Sequence, residues 1–227
     1  MNFEIKSQTI SVNEINEHSP FSFKVENDLR EPGCSSDSEE QTKLSTELLE
    51  NLVYPVYPDK FGKYNLLDNI EEFGEVKKYC DTVQCNIYSD ISPQKAMMIA
   101  VTFHIKQKTP TQMEKAKMMC QLKNNGFSSE QIKDLFGCSK RWIDRSIKGY
   151  KLFNKLSDKF KDDYLQLNKF SLKHFVIIAE KTNEQLTDED YIKIIEEAIA
   201  LKCDVKELEE YLTAEYSNGS SDITESE

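Results

Sequence analysis

The sequence predicts an α+β protein, with a small mixed α/β unit followed by an all-helical domain. Three observations lead there. Between residues 45 and 104, β-rich runs alternate with runs of helical period. From Thr109 onward only helical patterns occur. Gly and Pro are scarce, 7 and 6 in 227 residues, and 30% of residues are charged, which favours helix. At this length the chain holds one large or two small domains. An apolar content of 38%, with 22 Phe and Tyr, is enough for a core.

Residues 1–44 are expected to be a flexible acidic region, most plainly over 26–44, which are polar and rich in Asp, Glu and Ser. Thr46–Leu52 reads as a short helix. Val53–Tyr57 and Lys63–Leu67 read as strands joined by Pro58-Asp-Lys-Phe-Gly62. Ile70, Phe73, Val76, Lys77 and Cys80 mark a helix, and Val83–Tyr88 a third strand. Pro93 opens a helix through Phe103. Residues 45–104 are therefore read as one α/β domain. In the helical domain, 105–216, Met113, Ala116, Cys120 and Leu122 belong to a helix ending at Gly126. Further helices are expected over Leu152–Leu167, Leu172–Glu180, Tyr191–Leu201 and Val205–Tyr216. The apolar stripe Tyr191, Ile194, Ile195, Ala198 and Leu201 is read as core. The tail 217–227 is acidic and is expected to be disordered.

Residues 127–150 are the most informative stretch. Ser128 or Ser129 can cap a short helix with Glu130 and Gln131 in its first turn. Ile132, Leu135 and Phe136 share one face. Gly137 stands where a left-handed turn residue is wanted. Ser139 can cap a second helix, with Ile143 and Ile147 on its buried face. Lys140, Arg141, Arg145 and Lys148 lie on the other face. A short helix, a tight turn and a basic second helix make a helix-turn-helix, a reader that fits the major groove. Lys140, Arg141 and Arg145 are the expected contacts to bases or nearby phosphates, and Lys148 and Lys151 contacts to the backbone. Trp142 has two readings, stacked at the DNA surface or packed in the core.

Charge follows the same division. The whole chain carries −11, which argues against a generic nucleic-acid binder. Residues 104–181, however, hold 17 Lys/Arg against 8 Asp/Glu, a net +9. Residues 1–103 carry −9 and residues 182–227 carry −11. A basic block between acidic flanks is the footprint of a phosphate-binding module. The six cysteines are scattered and the three histidines lie apart from them in sequence, which fits reduced thiols better than a metal site or a disulfide framework. No apolar run approaches the roughly 20 residues needed to cross a bilayer, and the N-terminus lacks a signal sequence. A cytoplasmic location is expected.

Phe127–Lys148, followed by Tyr150-Lys-Leu152, resembles the DNA-binding core of ParB-type partition proteins. That family continues to a "K-L-S-x-G-H-A-R" helix start, which here reads Lys169-Phe-Ser-Leu-Lys-His-Phe175, keeping Ser171 and His174. Its "S-V-R-E-L-E" helix is here Asp204-Val-Lys-Glu-Leu-Glu209. More weakly, Tyr64-Asn-Leu-Leu-Asp-Asn69 and Phe103–Thr109, with His104, resemble the family's sulfiredoxin-like N-terminal domain. The resemblance covers residues 45–212 and has no counterpart for the family's C-terminal dimerisation domain. It implies a ParB-like α/β domain, a helix-turn-helix domain and a DNA partner. A homodimer and a partition ATPase partner are implied as well.

The chain departs from the family at its nucleotide motif. Members that bind CTP carry "G-E-R-R-x-x-A", and here Asn69-Ile-Glu-Glu-Phe-Gly-Glu75 puts Glu71 and Glu72 in place of the arginines. Two carboxylates repel a triphosphate where guanidinium groups hold it. Lys133 replaces a small residue at a packed position of the first helix. The expected function is sequence-specific binding of double-stranded DNA, in partition or transcriptional regulation, with no catalytic residues, cofactor or metal. The candidate DNA-binding set is Ser129, Gln131, Ser139, Lys140, Arg141, Trp142, Arg145, Lys148 and Lys151. Binding is expected to need only residues 105–216. Two alternatives are a CTP-dependent clamp or a nuclease built on Glu71, Glu72 and Glu75, and an adaptor whose acidic N-terminal domain recruits a basic partner. Assays of CTP turnover, metal-dependent cleavage and duplex binding separate the three.

Overall fold

The computed structural model describes residues 5–16, 19–23, 25, 52–107, 109–157, 167, 170–182 and 186–216. The expected linker over 26–44, the helix over 46–51 and the tail 217–227 lie outside the described residues. The fold is α+β. A four-stranded sheet belongs to one compact unit, Met1–Lys24 with Ser35–Pro110, and a set of helices to a second, Val25–Cys34 with Thr111–Glu227.

In the first unit the strands are β1 (Ile5–Ser11), β2 (Val53–Pro58), β3 (Tyr64–Leu66) and β4 (Thr82–Tyr88). Their order in the sheet is β1-β4-β2-β3. β1 runs antiparallel to β4, with Ile10 opposite Val83. β2 runs parallel to β4, with Tyr54 opposite Cys85, and antiparallel to β3, with Val56 opposite Leu66. Alternate residues of the strands face one core. Ile10, Tyr54, Val56, Leu66, Val83, Cys85 and Ile87 are buried with Phe73 and Val76 of helix α1 (Ile70–Val76). The opposite face carries polar pairs: Ser7 Oγ donates to Asn86 Oδ1 at 2.7 Å and Gln84 Nε2 donates to Thr9 Oγ1 at 2.7 Å. One apolar and one solvated face is the usual arrangement when antiparallel pairs form the sheet edges. Helix α2 (Pro93–Gln107) completes the unit.

β1 corrects the reading of residues 1–44 as flexible. Its own pattern is weak, because only Ile10 is buried along the strand. Its order comes from seven paired positions on β4, more than 70 residues away in sequence. A 3₁₀ turn at Val12–Glu14 follows, closed by a capping box between Ser11 and Glu14. Asn16 Nδ2 then donates to Asp59 Oδ2 (3.0 Å) and to Asn65 Oδ1 (2.8 Å), tying this segment to the β2–β3 hairpin. Such long-range pairings leave little trace in local periodicity.

The second unit contains α3 (Gln112–Asn124), α4 (Ser129–Phe136), α5 (Lys140–Ser157), α6 (Leu172–Lys181), α7 (Asp188–Ala200) and α8 (Val205–Tyr216). Each start has a chemical reason. Thr111 with Glu114, Ser128 with Gln131, and Thr187 with Asp190 form capping boxes at α3, α4 and α7. Asp204 accepts the N–H groups of Lys206 and Glu207 at α8. The core holds Met113, Ala116, Leu152, Phe153, Leu156, Phe175, Ile178, Ile195 and Leu208, with Phe153 edge-on to Phe175 at 5.3 Å. Val25 belongs to this same core. The helical unit therefore draws on a residue from the N-terminal part of the chain, which a 105–216 fragment would lack.

Two sequence expectations change here. Residues Leu152–Ser157 do not open a new helix but continue α5 from Lys140, and residues 158–166 lie outside the described residues. Gly149 does not break the helix, because the tight packing of α6 demands it. A Cβ there would meet Val176 Cγ2 at 2.7 Å and Val176 N at 3.0 Å. Leu201, read as core, is 66% exposed because α7 ends at Ala200 and the chain turns away.

Candidate nucleic-acid interface

Helices α4 and α5 are joined by Gly137, Cys138 and Ser139. Gly137 has φ 65° and ψ 29°, the left-handed conformation that a side chain disfavours. Its N–H closes the last turn of α4 on Lys133 O at 2.8 Å. Ser139 Oγ accepts the N–H of Trp142 at 3.2 Å and so caps α5. Ile132 of α4 and Ile143 of α5 are fully buried. The turn and the two inward isoleucines fix which face of α5 is left outside.

That outer face presents Lys140, Arg141, Asp144, Lys148 and Lys151, all exposed. They recur at helical spacing opposite Ile143, Ile147 and Leu152. Four of the five are cationic. The cations differ in their surroundings. Lys140 Nζ lies 2.5 Å from Glu130 Oε2, and Lys133 Nζ lies 2.9 Å from Glu130 Oε1. The ammonium groups of Lys140 and Lys133 hold the Glu130 carboxyl down at about 2. Glu130 therefore stays ionised and couples α4 to the start of α5. Lys133, expected at a packed position, is exposed, since its ammonium reaches Glu130 in the first turn of the same helix.

Three of the predicted polar residues have local structural duties. Gln131 Oε1 accepts the N–H of Ser128 (2.9 Å) as half of the α4 capping box. Ser129 Oγ accepts from Lys123 Nζ (2.7 Å). Ser139 is the α5 cap. A hydroxyl or amide engaged in this way positions the helix, and it reads a base only by breaking or sharing that bond.

Arg145 departs most from expectation. It is not an outward cation like Lys148. Its Nε lies 2.7 Å from Glu180 Oε1, and its Nη2 donates to Glu180 Oε2 at 2.8 Å. The pair is an ion pair between α5 and α6 with one hydrogen bond, from Nη2, and the side chains are 41% and 33% exposed. Sequence reasoning missed Glu180, which lies 35 residues away and carries no local signal. Trp142 is partly buried rather than in the core or wholly outside. Its indole stands between two clefts of about 410 and 390 Å³. Arg145, Lys173, Val176 and Glu209 line the first, and Lys115, Phe136 and Cys138 the second.

In the sheet unit, Asp68, Glu71, Glu72 and His104 line a small cavity of about 110 Å³ beside Phe21 and Phe23. Glu75, the third carboxylate of the possible cluster, is paired with Lys78 Nζ at 2.7 Å. Among the described residues no group of three or more His, Cys, Asp or Glu is arranged to hold a metal ion. Among them no helix is long and apolar enough to cross a membrane. The described cysteines are free thiols, and burial pushes Cys85 up to about 12.

No protein-family model matches the chain, and no curated protein matches it. Among solved structures, the chain is similar to a C-terminally truncated chromosome-partitioning protein ParB from Caulobacter crescentus, crystallised with the centromeric parS site. The TM-score is 0.47 and the sequence identity 14%, over 91% of this chain and 99% of that one.

Proposed function

We propose that this protein binds double-stranded DNA through α4 and α5, used as a helix-turn-helix, with α5 entering the major groove. The observation that carries the reading is the outer face of α5. Lys140, Arg141, Lys148 and Lys151 lie on one exposed stripe, held out by Ile132 and Ile143 beneath it. That stripe falls in a basic segment, residues 104–181 at +9, flanked on both sides by acidic sequence. A helix of this width and charge fits a groove bordered by phosphates. The acidic remainder of the chain opposes loose binding through other surfaces.

The role in the cell belongs to the same reading. The ordered sequence resemblance to ParB-type proteins, from Phe127 to Glu209, favours DNA partition or transcriptional regulation in the cytoplasm. The protein acts as a binder without enzymatic activity of its own. A homodimer would read a palindromic site, because half-site symmetry mirrors protein symmetry. A partition ATPase is the partner the resemblance implies.

The test is a salt series on the full chain with random and enriched duplexes. About five phosphate contacts give a slope near −4.5 in log affinity against log salt, at roughly 0.9 per phosphate neutralised. The combined K140A, R141A, K148A and K151A variant should lose most of that slope while keeping its helical spectrum. Affinity that hardly changes with salt, or that survives all four substitutions, would place the DNA elsewhere.

A further inference from the structure

The Arg145–Glu180 ion pair leaves most of a guanidinium's donors unused. A guanidinium has two donor edges: a side edge of Nε and one terminal nitrogen, and an end edge of both terminal nitrogens, each with an N–H. Glu180 sits on the side edge, accepting one N–H of Nη2 at 2.8 Å and lying in ion-pair contact with Nε at 2.7 Å. One N–H on Nη2 and both on Nη1 point away from that contact. The carboxylate is itself anchored on α6, whose flanking Val176, Ile177, Ile178 and Ala179 are buried. The guanidinium is thus tethered to a second, packed helix and is not placed by the rotamers of Arg145 alone. A long side chain normally loses considerable rotamer entropy when it docks. An arginine already clamped on one edge has lost part of it before DNA arrives.

We propose that Glu180 is a positioning residue for DNA recognition, holding Arg145 by its side edge so that the end edge engages one base in two-toothed fashion. The acceptor that matches two parallel N–H donors is the O6 and N7 edge of a guanine. This inference rests on the DNA-binding reading above and adds a specificity determinant to it. It also assigns different work to the cations of α5: Lys148 and Lys151 give affinity for any duplex, whereas Arg145 discriminates between sequences. Glu180 carries negative charge toward DNA, so it weakens general attraction while sharpening choice. A residue retained only to bind phosphate would gain from the opposite sign.

The full chain is first used to enrich its preferred duplex from a random pool. Affinities are then measured for that duplex, for its single-base variants and for a scrambled duplex, with wild type, R145A, R145K, E180Q and the R145A/E180Q pair. The expected result is that R145A and E180Q lose preference at the same base pair, by roughly tenfold to a hundredfold. E180Q should bind the scrambled duplex as well as wild type or better. The double variant should be no worse than R145A, because the two residues act as one unit. R145K keeps the charge but not the two edges, so it should keep scrambled-duplex affinity and lose the base preference. That pattern separates positioning from folding, since a merely structural role weakens both duplexes in proportion. If E180Q tightens the preferred duplex, Glu180 restrains Arg145 and the proposal is overturned. The proposal also fails if R145K keeps the wild-type preference, or if E180Q and R145A act at different base pairs. A wild-type chain that binds no duplex would overturn the DNA-binding reading itself, an outcome distinct from all of these.

Discussion

At the scale of single residues, Gly149 and Arg145 show how one position acquires its meaning from a distant neighbour. Gly in a helix interior is ordinarily a weakness of about 0.5–1 kcal/mol against Ala. Here the sign reverses. A methyl group at 149 would press on Val176 Cγ2 at 2.7 Å and, less yieldingly, on the Val176 backbone nitrogen at 3.0 Å. Forcing a methyl group into a packed helix contact costs about 1–3 kcal/mol. G149A should therefore lower stability by about 1–2 kcal/mol in urea unfolding, with an unchanged dependence on denaturant. A G149A variant more stable than wild type would mean that α5 and α6 can separate without cost.

Among the elements, the start of α6 carries a pH dependence. His174 stands in the first turn, and its Nδ1 accepts the Ser171 N–H at 3.0 Å. Burial holds the imidazole below its ordinary 6.5, although nearby Asp204 pulls the other way. The hydrogen bond from Ser171 is available only while Nδ1 is unprotonated, and a positive charge at a helix N-terminus is disfavoured. The unfolded chain therefore takes up the proton first. Stability from the neutral ring is complete above pH 6.5 and is lost as pH falls below that value through the folded pKa. Unfolding measured between pH 8 and 5 should show wild type weakening through this window. H174Q, which cannot titrate, should weaken less. Parallel curves for the two would exclude His174 as the source.

On the scale of the whole molecule, positive charge is concentrated in one stretch, because both units are acidic in sum and only the segment 104–181 is strongly basic. Most of that basic segment lies in the helical unit, while in the first unit the 110 Å³ cavity is lined by Asp68, Glu71 and Glu72. Three carboxyl groups around so small a space oppose a triphosphate, and α1, at seven residues, is a short helix with carboxylates in its first turn. Calorimetric titration of the full chain with CTP and magnesium is expected to show no saturable heat. Tight binding of one CTP per chain would show that Glu71 and Glu72 do not occupy the place of the family's arginines. Val25 adds a second whole-chain feature, because a residue from the N-terminal part completes the helical core and sequence order does not mark the unit's limits.

The sequence by itself determined what residues within about four positions of each other decide. Ser128, Gln131, Gly137 and Ser139 set the ends of α4 and α5. The β-rich runs Val53–Tyr57, Lys63–Leu67 and Val83–Tyr88 marked three of the four strands. The spacing of Ile143 and Ile147 foretold which side of α5 faces out. These are local steric and hydrogen-bonding preferences, which neighbours along the chain are enough to express. Only the tertiary structure decided that Ile5–Ser11 is a strand, that α5 runs unbroken through Gly149, that Val25 joins the helical core, and that Arg145 is clamped by Glu180. Each of those depends on groups from 27 residues apart upward, brought together by burial of apolar faces, and no pattern along the chain encodes which distant group will arrive.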